Sequence, residues 1–350
     1  MENLYKKIIS LDNLLLSWKE FRNGKRSKKD VQEFELNLED KLFELHEELA
    51  TMKYKHSNYS SFHITDPKQR HIHKAKVRDR IVHHAVHRIL YPIFNEYFIS
   101  GSYSCRLEKG SHRAVSELQR MARKISKNYT GPCYVLKCDI KKFFNSVNHQ
   151  RLLDILKNKI DDSDLLSLLD EIIGSFSSGF GVQPQLQLFD FRSENRERER
   201  ERAAFGCSGV GIPIGNLTSQ LFANVYMNEF DQFVKHNLRI KHYLRYCDDF
   251  VILSNDEEYL KQSILLIEKF LNENLKLRLH ENKVCIRKLK QGIDFLGYVI
   301  LPHHTVLRTK TRRRMFKKLT LNNSSSYSGI LSHCDSYELQ KRISRIISNL

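Results

Sequence analysis

The sequence predicts an α+β fold, an antiparallel sheet with helices packed on one face. Three observations predict it. Two β-rich runs, Lys241–Tyr246 and Phe250–Ser254, flank the adjacent acids Asp248 and Asp249, the pattern of a strand, a tight turn and a returning strand. A third β-rich run, Cys133–Cys138, ends on Asp139 and is followed by the aromatic pair Phe143-Phe144. Elsewhere apolar residues recur at helical spacing.

The chain has 350 residues, enough for a large core and two or three subdomains. Lys and Arg outnumber Asp and Glu by 58 to 41, a formal net charge of +17. A chain this basic meets a polyanion, and nucleic acid is the first candidate. No apolar run reaches the ~20 residues of a membrane-spanning helix. The opening stretch Met1–Lys7 lacks the apolar core of a secretory leader. The seven cysteines are scattered and form no C-x-x-C pair, which suits reduced thiols. A cytoplasmic protein with no membrane partner is expected.

In chain order, residues 1–55 read as helices, from Leu11, Leu14, Leu15 and Trp18 and again from Phe34, Leu36, Leu42, Phe43 and Leu45. The basic turn Arg22–Lys29 between them is either a phosphate contact or a solvated loop. His63–His73 reads as a hairpin with a proline turn at Pro67. Val77–Val86 enters a helix, with Asp79 near its start. Arg70, Arg78 and Arg80 lie in this stretch, and guanidinium forks can give phosphates bidentate, charge-assisted hydrogen bonds. The competing reading for Arg80 is a structural pair with Asp79 or another acid. The histidines at 71, 73, 83, 84 and 87 lack the closed spacing of a zinc site.

A helix is predicted over about 114–127 and another over 150–176. Residues 177–209 differ in kind. Gly179, Gly181 and Pro184 give way to Arg196–Arg202, where charge alternates at every residue and leaves no apolar face. That is a solvated loop or an exposed stalk, and nothing ties it to chemistry. A glycine-rich turn at Gly209–Gly215 then opens a long helix; glycines allow close backbone approach, and helix starts offer free N–H groups. Past the acid pair, a helix over about 256–274 is expected to pack Leu260, Ile264, Leu265, Ile267 and Leu271. From Arg308 on, Lys310, Arg312, Arg313, Arg314, Lys317 and Lys318 form a basic helical run.

Two acids at a turn can be merely solvated, but a third in a matching context changes the reading. Carboxylates at one strand end and at one hairpin tip meet if the strands are neighbours. Such a set suits hard cations such as Mg²⁺. It can hold two ions ~4 Å apart, clamping the attacking and leaving oxygens of a phosphoryl transfer. Asp139-Ile140-x-x-Phe143-Phe144, then Tyr246-x-Asp248-Asp249, then Phe295-Leu296-Gly297-Tyr298 resemble, in order and spacing, the palm of a reverse transcriptase. The resemblance covers nearly the whole chain. The string Gly211-Ile212-Pro213-Ile214-Gly215-Asn216-Leu217-Thr218-Ser219-Gln220 is similar to the reverse transcriptases of diversity-generating retroelements, relatives of the group II intron and retron enzymes.

The resemblance implies a right-hand polymerase. Residues 1–130 would be N-terminal helices and fingers, 131–300 the palm, with fingers helices and an insertion at about 177–209, and 301–350 a small helical thumb. It implies two Mg²⁺ ions, with Mn²⁺ as a substitute, held by Asp139, Asp248, Asp249 and the backbone carbonyl of Ile140. Lys283 would stand near the leaving pyrophosphate as a general acid; the alternative is a surface lysine. Arg70, Arg78 and Arg80 would hold the incoming triphosphate. Phe144 would lie beneath the sugar and exclude a 2′-hydroxyl, one of the two phenylalanines being core because neighbours on a strand point oppositely. Ile214 stands where relatives have a glutamine that braces the nucleotide, with Gly215 and Gln220 beside it. An apolar wall there is a route to errors at template adenines. Arg106 and Lys109 would follow the template backbone, and Phe295, Leu296, Gly297 and Tyr298 would grip the primer. The implied partners are template RNA, primer and cDNA, dNTPs and a small basic helical accessory protein. The alternatives are an antiphage defence enzyme, a group II intron enzyme, a non-catalytic RNA-binding scaffold and a two-metal nuclease.

Overall fold

The computed structural model describes residues 3–65, 69–178 and 209–348. Two compact units are built from interleaved segments of the chain. The first comprises Met1–Phe98, Lys141–Asp231 and Phe270–Arg278; the second comprises Ile99–Ile140, Gln232–Lys269 and Leu279–Leu350.

The first unit is mainly helical. It opens with α1 (Leu4–Ile9), α2 (Leu11–Arg22), α3 (Lys29–Glu35) and α4 (Leu38–Ala50). Ser10 caps α2 by accepting from the backbone N–H of Asn13. Leu14 and Trp18 of α2 are buried against α5 (Val77–Tyr97), and Phe34, Leu42 and Leu45 are buried too. Leu36 and Phe43, expected on the same apolar faces, are exposed. Between α4 and α5 stands a two-stranded hairpin, β1 (Ser60–Ile64) and β2 (Arg70–Lys74), in antiparallel register. Its expected proline turn falls on residues 66–68, outside the described residues.

The helix expected over 150–176 is two helices, α8 (His149–Lys157) and α9 (Ser163–Gly174). Asp162 is the reason for the break: its side chain accepts from the backbone N–H of Leu165 and starts α9. Most of the charged segment, 179–208, lies outside the described residues. Phe143 and Phe144 sit in a helical turn, α7 (Phe143–Ser146), not on the strand expected for them. Lys142, at φ 48°, turns the chain out of the strand first. Phe143 is buried and Phe144 half-buried, so one of the pair is core as expected, on helical geometry. After the glycine-rich turn runs α10 (Leu217–Gln232).

The second unit holds a four-stranded antiparallel sheet, order β4-β5-β3-β6, of β3 (Tyr134–Asp139), β4 (Tyr243–Tyr246), β5 (Asp249–Ser254) and β6 (Cys285–Lys288). Phe250, Val251, Ile252 and Leu253 are all buried, as are Val135, Leu136 and Cys138. A strand wet on one face would alternate; these two central strands are covered on both. Part of the cover is α6 (Ser111–Ile125), whose stripe Ala114, Val115, Leu118, Met121 and Ala122 joins one apolar core with Val135, Leu244, Val251 and Leu253. A three-stranded sheet, β7 (Ile293–Phe295), β8 (Tyr298–Ile300) and β9 (Thr305–Leu307), shares that core. The unit ends with α12 (Thr309–Lys318), α13 (Ser324–Leu331) and α14 (Tyr337–Ser348). The helix after β5, α11 (Glu257–Leu275), buries Leu260, Ile267 and Leu271, but Leu265 is 69% exposed. Leu265 is five residues past Leu260, so at ~100° per residue it points away from the buried stripe.

Among the described residues no helix is long and apolar enough to cross a membrane.

Candidate active site

In the second unit, β3 and β5 pair so that Asp139 stands directly opposite Asp249. Directly opposed residues of an antiparallel pair put their side chains on one face, with Cβ atoms ~5 Å apart. Asp248 occupies the two-residue turn between β4 and β5, with Cys247 before it at φ 58°. Three carboxylates at one end of one sheet follow from a register and a turn.

Asp139 is 8% exposed, and Asp248 and Asp249 are half-buried. Burial raises the pKa of Asp248, and the charge of Asp139 adds to the rise. Burial likewise pushes Asp249 up to about 6; Lys137 opposes this, while Asp248 and Asp139 add to it. Lys137 belongs to the same face of β3, two residues before Asp139, and its Nζ donates to the Asp294 carbonyl at 2.8 Å.

Lys283 supplies a second cation at the site. The backbone N–H of His280 donates to the Asp139 carbonyl at 2.8 Å, and Ile140 pairs with Leu279. That lays segment 279–283 along the end of β3. A 3₁₀ turn (Glu281–Lys283), capped by His280, then delivers Lys283 Nζ to 2.8 Å from Asp139 Oδ2.

The donors fit a hard divalent cation. They are oxygens, and burial together with the neighbouring Asp139 charge disfavours ionisation of Asp248 and Asp249. A cation would relieve both. They do not stand as a finished cage: among the described residues, no group of three or more His, Cys, Asp or Glu side chains is arranged to hold a metal ion. Asp139 is turned to Lys283 instead.

The expected primer-grip residues form the hairpin β7–β8. Leu296 and Gly297 both have positive φ, 48° and 94°, the signature of a tight two-residue turn. Phe295 and Tyr298 are buried, and the Tyr298 hydroxyl donates to the Ile330 carbonyl at 2.9 Å. Only the Leu296–Gly297 tip is half-exposed. Arg106 and Lys109 are turned onto their own loop. Arg106 Nη1 donates to the carbonyls of Ile99 and Ser102, and Lys109 Nζ donates to that of Ser100.

In the first unit, Arg78 makes a two-pronged pair with Glu48 and lies over the Tyr54 ring. Arg80 donates to Asp30 at 2.7 Å and lies over Phe21. Both are therefore committed to acids; the structural pairing left open for Arg80 is with Asp30, not Asp79. Arg70 is exposed at the start of β2, and no ion pair to it is present among the described residues. Phe144 packs edge-on against Phe143 at 5.3 Å between centroids. The Ile214 carbonyl accepts from the backbone N–H of His73 at 3.2 Å, which ties the glycine-rich turn to β2. Gly215 has φ 129°, and a Cβ there would stand 3.3 Å from both Ile72 and the His73 carbonyl. Gln220 is exposed on the first turn of α10.

Sequence reasoning passed over Lys137 and Arg245. The available signal was a cation inside each apolar strand, Val135-Leu136-Lys137-Cys138 and Tyr243-Leu244-Arg245-Tyr246.

A family model described as "Reverse transcriptase (RNA-dependent DNA polymerase)" matches residues 61–300, a span that includes all three carboxylates and Lys283. Protein YkfC of Escherichia coli (strain K12) is 25% identical over 268 residues, covering 67% of this chain and 62% of its own. The group II intron-encoded protein LtrA of Lactococcus lactis subsp. cremoris is 24% identical over 313 residues, covering 70% of this chain and 46% of its own. This chain thus spans less than two thirds of the length of either relative. Among solved structures, telomerase from Candida albicans, in complex with a fragment of telomeric RNA, aligns with a TM-score of 0.45 at 12% identity, over 73% of this chain and 46% of that one.

Proposed function

The chain belongs to the reverse transcriptase family, and from that premise we propose that it is an RNA-directed DNA polymerase that copies a template RNA into cDNA within a diversity-generating retroelement. The observation that carries the polymerase reading is the register that sets Asp139 opposite Asp249 with Asp248 in the adjoining turn. Asp139, Asp248, Asp249 and the Ile140 carbonyl would hold two Mg²⁺ ions. When bound, these ions supply electrostatic stabilisation of the attacking and leaving oxygens. The chain's own groups do the rest. The carboxylates would orient the primer 3′-hydroxyl toward the α-phosphate of a dNTP; as the O3′–Pα bond forms, the hydroxyl proton passes to solvent and the Pα–O bond to pyrophosphate breaks. Lys283, a proton donor already at the carboxylates, gives its proton to the departing pyrophosphate.

Arg70 is assigned to the triphosphate, because Arg78 and Arg80 are engaged by acids. Phe144 is assigned to the sugar, and Ile214, Gly215 and Gln220 to the nucleotide. The Leu296–Gly297 tip is assigned to the primer, and Arg106 and Lys109 act by shaping the loop that meets the template. Residues 1–130, 131–300 and 301–350 correspond to fingers, palm and thumb. A small basic helical protein is the proposed partner.

The retroelement assignment rests on the string Gly211–Gln220. A second reading, a group II intron-type enzyme, is favoured by the likeness to LtrA. Primer extension on an RNA template with dNTPs and Mg²⁺, with products sequenced, separates them. Synthesis is expected from wild type and not from Asp248→Ala. Errors concentrated opposite adenine favour the retroelement, and faithful products favour the intron type. No synthesis by wild type, with its own RNA and partner supplied, overturns the polymerase reading.

A further inference from the structure

Arg245 is a charged side chain with no solvent exposure, in β4, three residues before Asp248. Burying a guanidinium is costly unless its donors are engaged, so what it holds is informative. Its Nη1 donates to the Cys247 carbonyl at 3.0 Å, and its Nη2 donates to Ser102 Oγ at 3.1 Å. The Cys247 carbonyl belongs to the peptide that leads into Asp248. Cys247 itself is at φ 58°, a conformation that favours glycine and persists only where surroundings impose it.

The anchor at the other end is built with equal care. The Arg245 N–H donates to the Gly101 carbonyl and the Tyr103 N–H donates to the Arg245 carbonyl, both at 2.9 Å. Ser102 lies alongside Arg245 in a parallel bridge and is buried. A Cβ on Gly101 would stand 2.7 Å from the Tyr243 carbonyl, so this approach needs glycine. Arg106 grips the same segment from outside, through the carbonyls of Ile99 and Ser102.

We propose that Arg245 is the positioning residue of Asp248. It clamps the Cys247–Asp248 peptide to the segment Ile99–Tyr103 and so sets where the Asp248 carboxylate points. It touches neither substrate nor cation. The proposal rests on the reading of Asp139, Asp248 and Asp249 as cation-binding carboxylates.

Arg245→Lys tests it, because lysine keeps the charge and loses the planar fork that reaches two acceptors. The first readout is Mn²⁺ binding by electron paramagnetic resonance, on the full chain with primer–template and no nucleotide. The second is the Mg²⁺ dependence of primer extension. The variant is expected to fold and to bind primer–template as wild type does, but to bind Mn²⁺ ~10-fold more weakly, the usual scale for groups that orient metal ligands. The Mg²⁺ half-saturation of extension should rise by the same factor, with the dNTP KM unchanged at saturating metal. Ser102→Ala should shift both in the same direction by less. If Arg245→Lys fails to fold, Ser102→Ala decides: a shift supports the clamp, and none overturns it. Folded variants that bind Mn²⁺ like wild type overturn it, as does a wild type that binds no Mn²⁺. A wild type that makes no DNA, but whose Mn²⁺ binding weakens in Arg245→Lys, overturns the polymerase reading and leaves the clamp standing.

Discussion

Two of the hairpins, β4–β5 and β1–β2, obey the same pairing rule and differ in almost everything else. β4–β5 lies in a four-stranded sheet, with β5 inside it and its apolar residues buried. β1–β2 is a two-stranded ribbon, with every residue of β1 exposed. Cross-strand contacts in the ribbon include rings, His63 stacked on His71 at 4.4 Å between centroids. An isolated two-stranded hairpin is marginal in water, whereas added strands and a buried face make a register strict. Asp248 and Asp249 stand on the hairpin whose register is strict, and Asp139 on the strand paired with it. Groups that must hold oxygens at fixed positions need a rigid support.

The largest effect expected from breaking this comparison is on chemistry. Asp139→Asn removes the charge that faces Asp249 across the strict register, and DNA synthesis should fall roughly 10³-fold or more, ~4 kcal/mol of barrier, in single-turnover extension. A loss below tenfold would detach the register from catalysis.

Stability comes next. Ile252→Ala, in the buried strand, should cost ~2–5 kcal/mol in urea unfolding, while Ile64→Ala, on the exposed ribbon, should cost under ~1 kcal/mol. Equal costs would mean that the ribbon is as firmly held as the sheet.

The smallest effect concerns pH. Burial pushes the Asp249 carboxyl from the ordinary carboxylate range up to about 6, so its ionised form is disfavoured in the fold. The resulting loss of stability is fully present above about pH 6 and disappears as the pH falls toward the unfolded value. Without metal, Asp249→Asn should therefore melt above wild type at pH 7, and the two should converge by about pH 4. A variant that melts below wild type at neutral pH would contradict the crowding of carboxylates.

Much of this was legible along the chain. The strand ending on Asp139 and the turn at Asp248 came from local pattern, as did the helices α6 and α11. The misses have local causes that spacing does not carry. Asp162 splits the helix expected over 150–176 by taking one backbone N–H. Lys142 turns the chain so that Phe143 and Phe144 enter a helix.

By itself, the sequence determined where acids end strands, because alternation, turns and helical stripes are set by neighbours within a few residues. Tertiary structure decided which charges meet. Arg78 reaches Glu48 across 30 positions, Arg80 reaches Asp30 across 50, and Lys283 reaches Asp139 across 144. It also buried Arg245 behind the turn it steadies. Long side chains and Coulomb attraction leave no periodicity in a sequence, so partners of this kind emerge only when packing brings distant segments together.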